Sequence, residues 1–322
     1  MKNRIYSIDI LKFLAAILIT NSHMELLYGE YSALATGGAI GDVLFFFCSG
    51  FTLFLGRFDR FDNWYKRRIN RIYPTVIAWA LLGCIAFGYN NNIIDIIIHG
   101  GGWFISCIMI YYILIYIIRK YLFNHIIPVL YTYGIICIIV YFVIERSHDF
   151  NMYGDTYFKW LHYFIFMLLG ATIGINHKEI NIATNGIKPV VTLLINIIIY
   201  YSILICGKRW VIIQELQILS LIPLIGITCN FYKLCNSKLA YHYYNSPIIG
   251  WLIKFIGGLC LEIYLVQYSL FTDKMNQLFP FNLIIMFIII VIVAYALRCL
   301  SRIISQTFKD TNYNWKDVFK LV

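Results

Sequence analysis

Lys12 and His23 are separated by ten residues of a largely apolar stretch. Eleven steps of about 100° return to within about 20° of three full helical turns. As helix, both side chains leave one face, about 16 Å apart along the axis at ~1.5 Å per residue. A lysine so placed can stabilise developing negative charge, and a histidine can serve as general base. Taken singly, Lys12 also reads as a snorkelling interfacial lysine and His23 as a core histidine bonded to a neighbouring helix. Ionisable groups in apolar helices are costly, so the alignment of two shifts the balance toward a site. Asp9, one turn before Lys12, is placed to help hold the lysine.

Two further carboxylates and an arginine pair join these candidates. Asp42 lies about a turn into the next apolar stretch, at a depth similar to that of His23, and a carboxylate beside an imidazole orients the ring and favours its imidazolium form. The alternative is an interfacial carboxylate favoured by a helix N-terminus. Glu262, within Leu261-Glu262-Ile263-Tyr264-Leu265-Val266-Gln267, is either a site group or a structural partner of Lys12 or an arginine. Arg68 and Arg71 fall in the run Lys66-Arg67-Arg68-Ile69-Asn70-Arg71-Ile72-Tyr73-Pro74, read as an inner loop. If it is helical they share a face, and arginine suits bidentate phosphate contacts. Membrane orientation alone explains basic residues at an inner loop. With Arg57 and Arg60 the loop holds six cations, which exceed that need and signal an anionic lipid or a phosphorylated substrate.

Other motifs point to packing. Ser49-Gly50 has no nucleophile elbow around it and reads as a close-packing pair. His99-Gly100-Gly101-Gly102 shares its letters with a lipase oxyanion loop but, without a serine elbow, reads as a flexible lead into a helix at Trp103. His125, His148, His162, His177 and His242 have no ligand spacing and read as surface groups. The nine cysteines also lack metal spacing and read as buried, reduced and structural. With no phosphate-binding loop, zinc motif or dinucleotide-binding glycine pattern, neither a metal nor a permanently bound cofactor is expected.

The elements that must position these groups follow from composition. Of 322 residues, 61% are hydrophobic and 13% charged, with mean hydropathy +0.73. No water-soluble surface can be built from that mix, so the chain's solvent is mostly lipid. The net charge of +10 does not indicate nucleic acid, because a basic module still needs a soluble fold to carry its patch. Ten stretches approach the ~20 apolar residues of a spanning helix. They run roughly Ile8 to Leu27, Ala39 to Leu55, Ile72 to Tyr89, Trp103 to Ile118, Ile126 to Ile144, Tyr157 to Ile175, Ile187 to Cys206, Val211 to Phe231, Phe255 to Phe271 and Phe281 to Ile304. The eighth carries Gln214, Glu215, Gln217 and Pro223 and must face protein or water. The start imitates a secretory signal, but Asp9, Lys12, His23 and Glu25 interrupt its apolar core, so it reads as the first membrane helix. With the N-terminus inside, 20 of the 26 Lys and Arg residues fall on inner segments and five on outer loops, with Lys12 within the first helix. That asymmetry predicts both termini in the cytoplasm. The expected fold is all-α: one polytopic membrane domain over residues 1–322, with about ten transmembrane helices and no appended soluble domain.

Asp9-x-x-Lys12-x10-His23, Phe45-Phe46-x-x-Ser49-Gly50-Phe51, Arg68-x-x-Arg71-Ile72-Tyr73-Pro74, Trp103-Phe104 and Ile263-Tyr264-Leu265 follow one another in an order that resembles the acyltransferase 3 family of integral-membrane acyltransferases. The resemblance spans most of the chain. It implies a bacterial inner-membrane enzyme that moves acetyl groups from acetyl-CoA to hydroxyls of O-antigen, capsule, exopolysaccharide or similar surface carbohydrate. Lys12 and His23 match the family's Arg/Lys-x10-His motif, and Arg68 and Arg71 its Arg-x-x-Arg motif. Gln267 stands where the family often has a histidine, and the soluble esterase-like domain that some members carry is not expected here. The expected partners are acetyl-CoA, a surface glycan or lipid-linked oligosaccharide, and the bilayer, with no nucleic acid. Together with the physics, the resemblance implies CoA phosphates on Arg68 and Arg71. His23 would be the base or acetyl carrier, oriented by Asp42 or Glu262, and Lys12 would stabilise charge. The rival reading is a glycan or lipid transporter, a flippase, whose pathway the same charges would line. Such proteins usually show inverted repeats and broken helix pairs, and the sequence displays neither.

Overall fold

A computed structural model describes residues 4–88, 92–98, 100–144, 151–154, 156–177, 186–207, 209–210, 215–308 and 312–321. Lys2, Arg146, Lys178, Lys208 and Lys309 of the cation count, together with His99, His148 and Gln214, lie outside the described residues. Among the described residues the structure is helical, with no strand. In lipid a backbone must satisfy its own hydrogen bonds, which an apolar chain does within each helix. The longer helices are α1 (Tyr6–Ser22), α2 (Gly38–Leu55), α3 (Phe61–Phe87), α4 (Gly102–Tyr121), α5 (Ile126–Val143), α6 (Lys159–Ile175), α7 (Ile187–Gly207), α8 (Leu221–Cys235), α9 (Ile249–Gly258), α10 (Cys260–Leu270) and α11 (Phe281–Thr307).

Among the described residues, seven helices are long and apolar enough to cross a membrane, or up to nine if each of two bent pairs is one span; α6 is a shorter apolar helix. The protein is therefore a multi-pass helical membrane protein. One bend, of 65°, separates Tyr6–Ser22 from Glu25–Leu34, and the other, of 74°, separates Ile249–Gly258 from Cys260–Leu270. The sequence showed no broken helix pair, and the described residues form two. Hydropathy counts apolar residues, and both halves of a bent pair are apolar. A second difference concerns α3, expected from Ile72 but beginning at Phe61. Its 27 residues span about 40 Å, about 10 Å more than a hydrocarbon core of ~30 Å, so its first two turns, as far as about Arg68, can stand beyond the apolar layer, with Arg71 one turn further in.

The chain clusters into two compact units, each discontinuous in sequence. The first comprises Met1–Lys12, Ala39–Arg57 and Ile117–Gly250, the second Phe13–Gly38, Phe58–Tyr116 and Trp251–Val322. In the first unit α2 packs on α6 through glycine: a Cβ on Gly50 would overlap the Met167 carbonyl, and one on Gly170 the Phe47 carbonyl. This backbone-to-backbone approach is the use to which the Ser49-Gly50 pair is put. The Arg119 guanidinium donates to the carbonyls of Leu53 (2.6 Å) and Gly56 (2.7 Å), which satisfies the last turn of α2.

In the second unit α3 packs on α11, with the Thr75 and Ser301 hydroxyls 2.9 Å apart, and α10 packs on both. The segment after α1 folds back and is tied by three amides. Asn21 Nδ2 donates to the carbonyls of Leu34 (3.0 Å) and Thr36 (2.9 Å), Asn276 Nδ2 to Leu26 (2.8 Å) and Asn282 Nδ2 to Leu27 (2.8 Å). These donors satisfy carbonyls that the interrupted helix leaves open.

Candidate active site

His23 stands at the first bend, directly after α1, where its amide closes a tight turn on the Thr20 carbonyl at 3.1 Å. The ring is half-buried, and Tyr268 in the last turn of α10 reaches it: Tyr268 Oη lies 2.7 Å from His23 Nε2 and 3.2 Å from Nδ1. The two rings lie 4.6 Å apart at 51°. An imidazole held in this way can exchange a proton with a hydroxyl.

Arg68 and Arg71 lie on one side of α3, in the same unit as His23, within electrostatic reach of the Tyr112 hydroxyl. Their surroundings differ. The Arg68 guanidinium sits 4.7 Å from the centroid of the buried Trp64 and 5.8 Å from that of Tyr112, whereas Arg71 is exposed. The neighbouring Arg67 is taken up by Asp59 at 2.5 Å. Arg68 is thus held by aromatic faces, one helical turn from Trp64, and Arg71 projects where an anion can meet it.

The remaining candidates have partners of their own. Lys12 is half-buried on α1. Asp9, one turn earlier, accepts from the Tyr244 hydroxyl at 2.8 Å. Asp42, in the first unit, accepts a hydrogen bond from Tyr163 and lies near the ammonium of Lys159, itself only 6% exposed. Glu262, in the second unit, is gripped by Arg298 of α11, Nε to Oε1 at 3.0 Å and Nη2 to Oε2 at 2.9 Å. Arg298 also donates to the Gly258 carbonyl, the last of α9 before the bend. Of the alternatives for Glu262, pairing with an arginine is the one found, and the pair clamps the break between α9 and α10. His162 is not a surface group. It is fully buried, with Nδ1 3.1 Å from the Phe158 carbonyl and Tyr153 edge-on at 5.2 Å. His177 is half-buried, with Nδ1 2.9 Å from Tyr232 Oη, and burial lowers its pKa.

Sequence reasoning missed Tyr268, Lys159 and Arg298. The last two were counted as orienting cations, although a carboxylate inside an apolar helix calls for a cation elsewhere in the chain. Tyr268 carried no such signal.

Fold and side chains together define a multi-pass membrane protein that keeps ionisable groups among its helices. A family model described as an acyltransferase domain matches residues 5–299, and the chain belongs to the acyltransferase 3 family. It is a membrane acyltransferase. No curated protein and no solved structure matches it.

Proposed function

We propose that this acyltransferase moves an acetyl group from acetyl-CoA to a hydroxyl of a bacterial cell-surface carbohydrate, in the inner membrane. The observation that carries the reading is His23, an imidazole at a helix break with a hydroxyl within hydrogen-bond distance of its ring. On the orientation implied by the cation distribution, the first turns of α3 face the cytoplasm, where CoA is found. Arg71 takes a CoA phosphate there, and Arg68 supports it from Trp64. His23 accepts the proton of the acceptor hydroxyl while the oxygen bonds to the acetyl carbon. The carbon–sulfur bond breaks, and CoA thiolate leaves with the proton from the imidazolium. Lys12, about three turns before His23, stabilises negative charge on the way. No step is assigned to Asp42 or Glu262, whose neighbours neutralise them within their own units.

Replacing His23 with Ala should lower acetyl transfer by about two to four orders of magnitude while the protein still inserts. Membranes given radiolabelled acetyl-CoA report the transfer, and full incorporation by the variant would overturn the reading. The two broken helix pairs favour a second reading, a glycan transporter, because discontinuous helices line transport sites. Movement of unmodified glycan without acetyl incorporation would support it.

A further inference from the structure

Lipid offers a polar side chain no partner, so an apolar helix must meet such groups from its own backbone or from a neighbour. Much of the chain does so. The hydroxyls of Thr52, Thr172 and Thr228 each donate to the carbonyl four residues back at 2.9 Å, and the Asn230 carboxamide does the same at 2.8 Å. The segments around His23 differ. Gln267, in the last turn of α10, and Thr20, one turn before His23 in α1, are both 0% exposed. Yet Gln267 Oε1, Gln267 Nε2 and Thr20 Oγ1 have no hydrogen-bond partner among the described residues. The residue after Gln267 is Tyr268, 53% exposed, whose ring lies 4.6 Å from the imidazole. The amide therefore belongs to the helical turn that meets His23, one residue in from the surface.

A buried amide without partners is destabilising at both its atoms, and a ligand that meets both removes that cost. The unmet atoms specify the ligand's chemistry. Oε1 only accepts and Nε2 only donates, so the partner must present a donor and an acceptor side by side. An acetyl carbonyl or a phosphate presents acceptors alone and would leave Oε1 bare. Two neighbouring hydroxyls of a pyranose present both, one donating to Oε1 and the other accepting from Nε2. A further oxygen of the same ring can meet the Thr20 hydroxyl.

We propose that Gln267 recognises the acceptor sugar: its carboxamide pairs with two adjacent hydroxyls of a pyranose, Thr20 supports the same ring, and the sugar is held with another hydroxyl at His23. The proposal rests on the carbohydrate acceptor of the reading above. It makes the amide a determinant of which sugar is modified, since a ring without that hydroxyl pair would leave the carboxamide buried and unmet.

The test uses the full chain in lipid nanodiscs and the cells' own surface glycan, stripped of its esters by mild alkali, with binding and melting read on the same samples. Gln267→Met keeps the length of the side chain and loses its polar atoms. It should weaken glycan binding about tenfold or more, as the loss of two hydrogen bonds would, and raise the melting temperature by about 2 °C or more, because an unmet buried amide is gone. Thr20→Val should move both readings in the same directions. Periodate cleaves the carbon–carbon bond between adjacent hydroxyls. Glycan so treated should bind the wild-type protein about as weakly as intact glycan binds Gln267→Met, with little further loss on the variant. Unchanged glycan binding in Gln267→Met would overturn the proposal and leave the amide to a buried water. A lowered melting temperature in that variant would overturn it as well, since the amide would then hold helices together, and so would an equal further loss with periodate. Binding that responds as expected in a protein that transfers no acetyl would sink the acetyl-transfer reading and leave the recognition standing.

Discussion

Arg68 and Arg71 share a helix face but meet different surroundings, so their loss should be felt differently. Arg71→Ala should raise the KM for acetyl-CoA about tenfold or more, the cost of one charge-assisted contact to phosphate, without changing the melting temperature in detergent. Arg68→Ala strips a cation from the buried Trp64 and should lower that melting temperature, and Arg68→Lys should not fully restore it because a planar guanidinium is what lies over the ring. Equal effects of the two alanine variants on KM, with no change in melting, would refute the division. At this scale the sequence carried residue types and spacings: the Arg-x-x-Arg letters and the alignment of Lys12 with His23 could be read directly. The phenol against His23 could not, because its residue lies 245 positions away and chain separation says nothing of proximity. His162 was missed for a similar reason: its burial depends on Tyr153 and Phe158, and no spacing between histidines encodes that.

Helix breaks decide what the elements can do. The break between α9 and α10 frees backbone carbonyls, and Arg298 answers one of them while gripping Glu262, with side-chain exposures of 16% and 7% for the pair. Removing either partner alone leaves a buried charge, so Glu262→Met and Arg298→Met should each destabilise by about 3–5 kcal/mol. The double variant should cost clearly less than the sum of the two, as read from unfolding in detergent. Additive losses would mean that the two side chains act independently. Helical character was legible from hydropathy because lipid leaves an apolar chain little alternative. The bends were not, since Gly257 and Gly258 are a weak mark in a stretch that remains apolar on both sides. The early start of α3 was hidden by its charges, which a hydropathy reading assigns to a loop. In the structure Phe61 stacks on Tyr65 at 5.4 Å, and Trp64 underlies Arg68, so aromatic contacts one turn apart sustain the helix through its basic run.

For the whole molecule, orientation is the property most open to direct measurement. The cation distribution predicts a cytoplasmic C-terminus, so a green fluorescent protein joined there should fluoresce, and an alkaline phosphatase inserted beside Lys274 should be active outside. The opposite pattern would invert the orientation and remove Arg71 from the side that holds CoA. Membrane class was plain from composition. The two units were not, because each is assembled from three separated stretches, and α1, α4 and α9 pass from one to the other. Asn21, Asn276 and Asn282 tie down the fold-back that follows His23. Carboxamides neither titrate nor gather counterions. Acid, brine and divalent cations therefore leave such tethers untouched, and the frame that holds the imidazole keeps its shape whatever the medium.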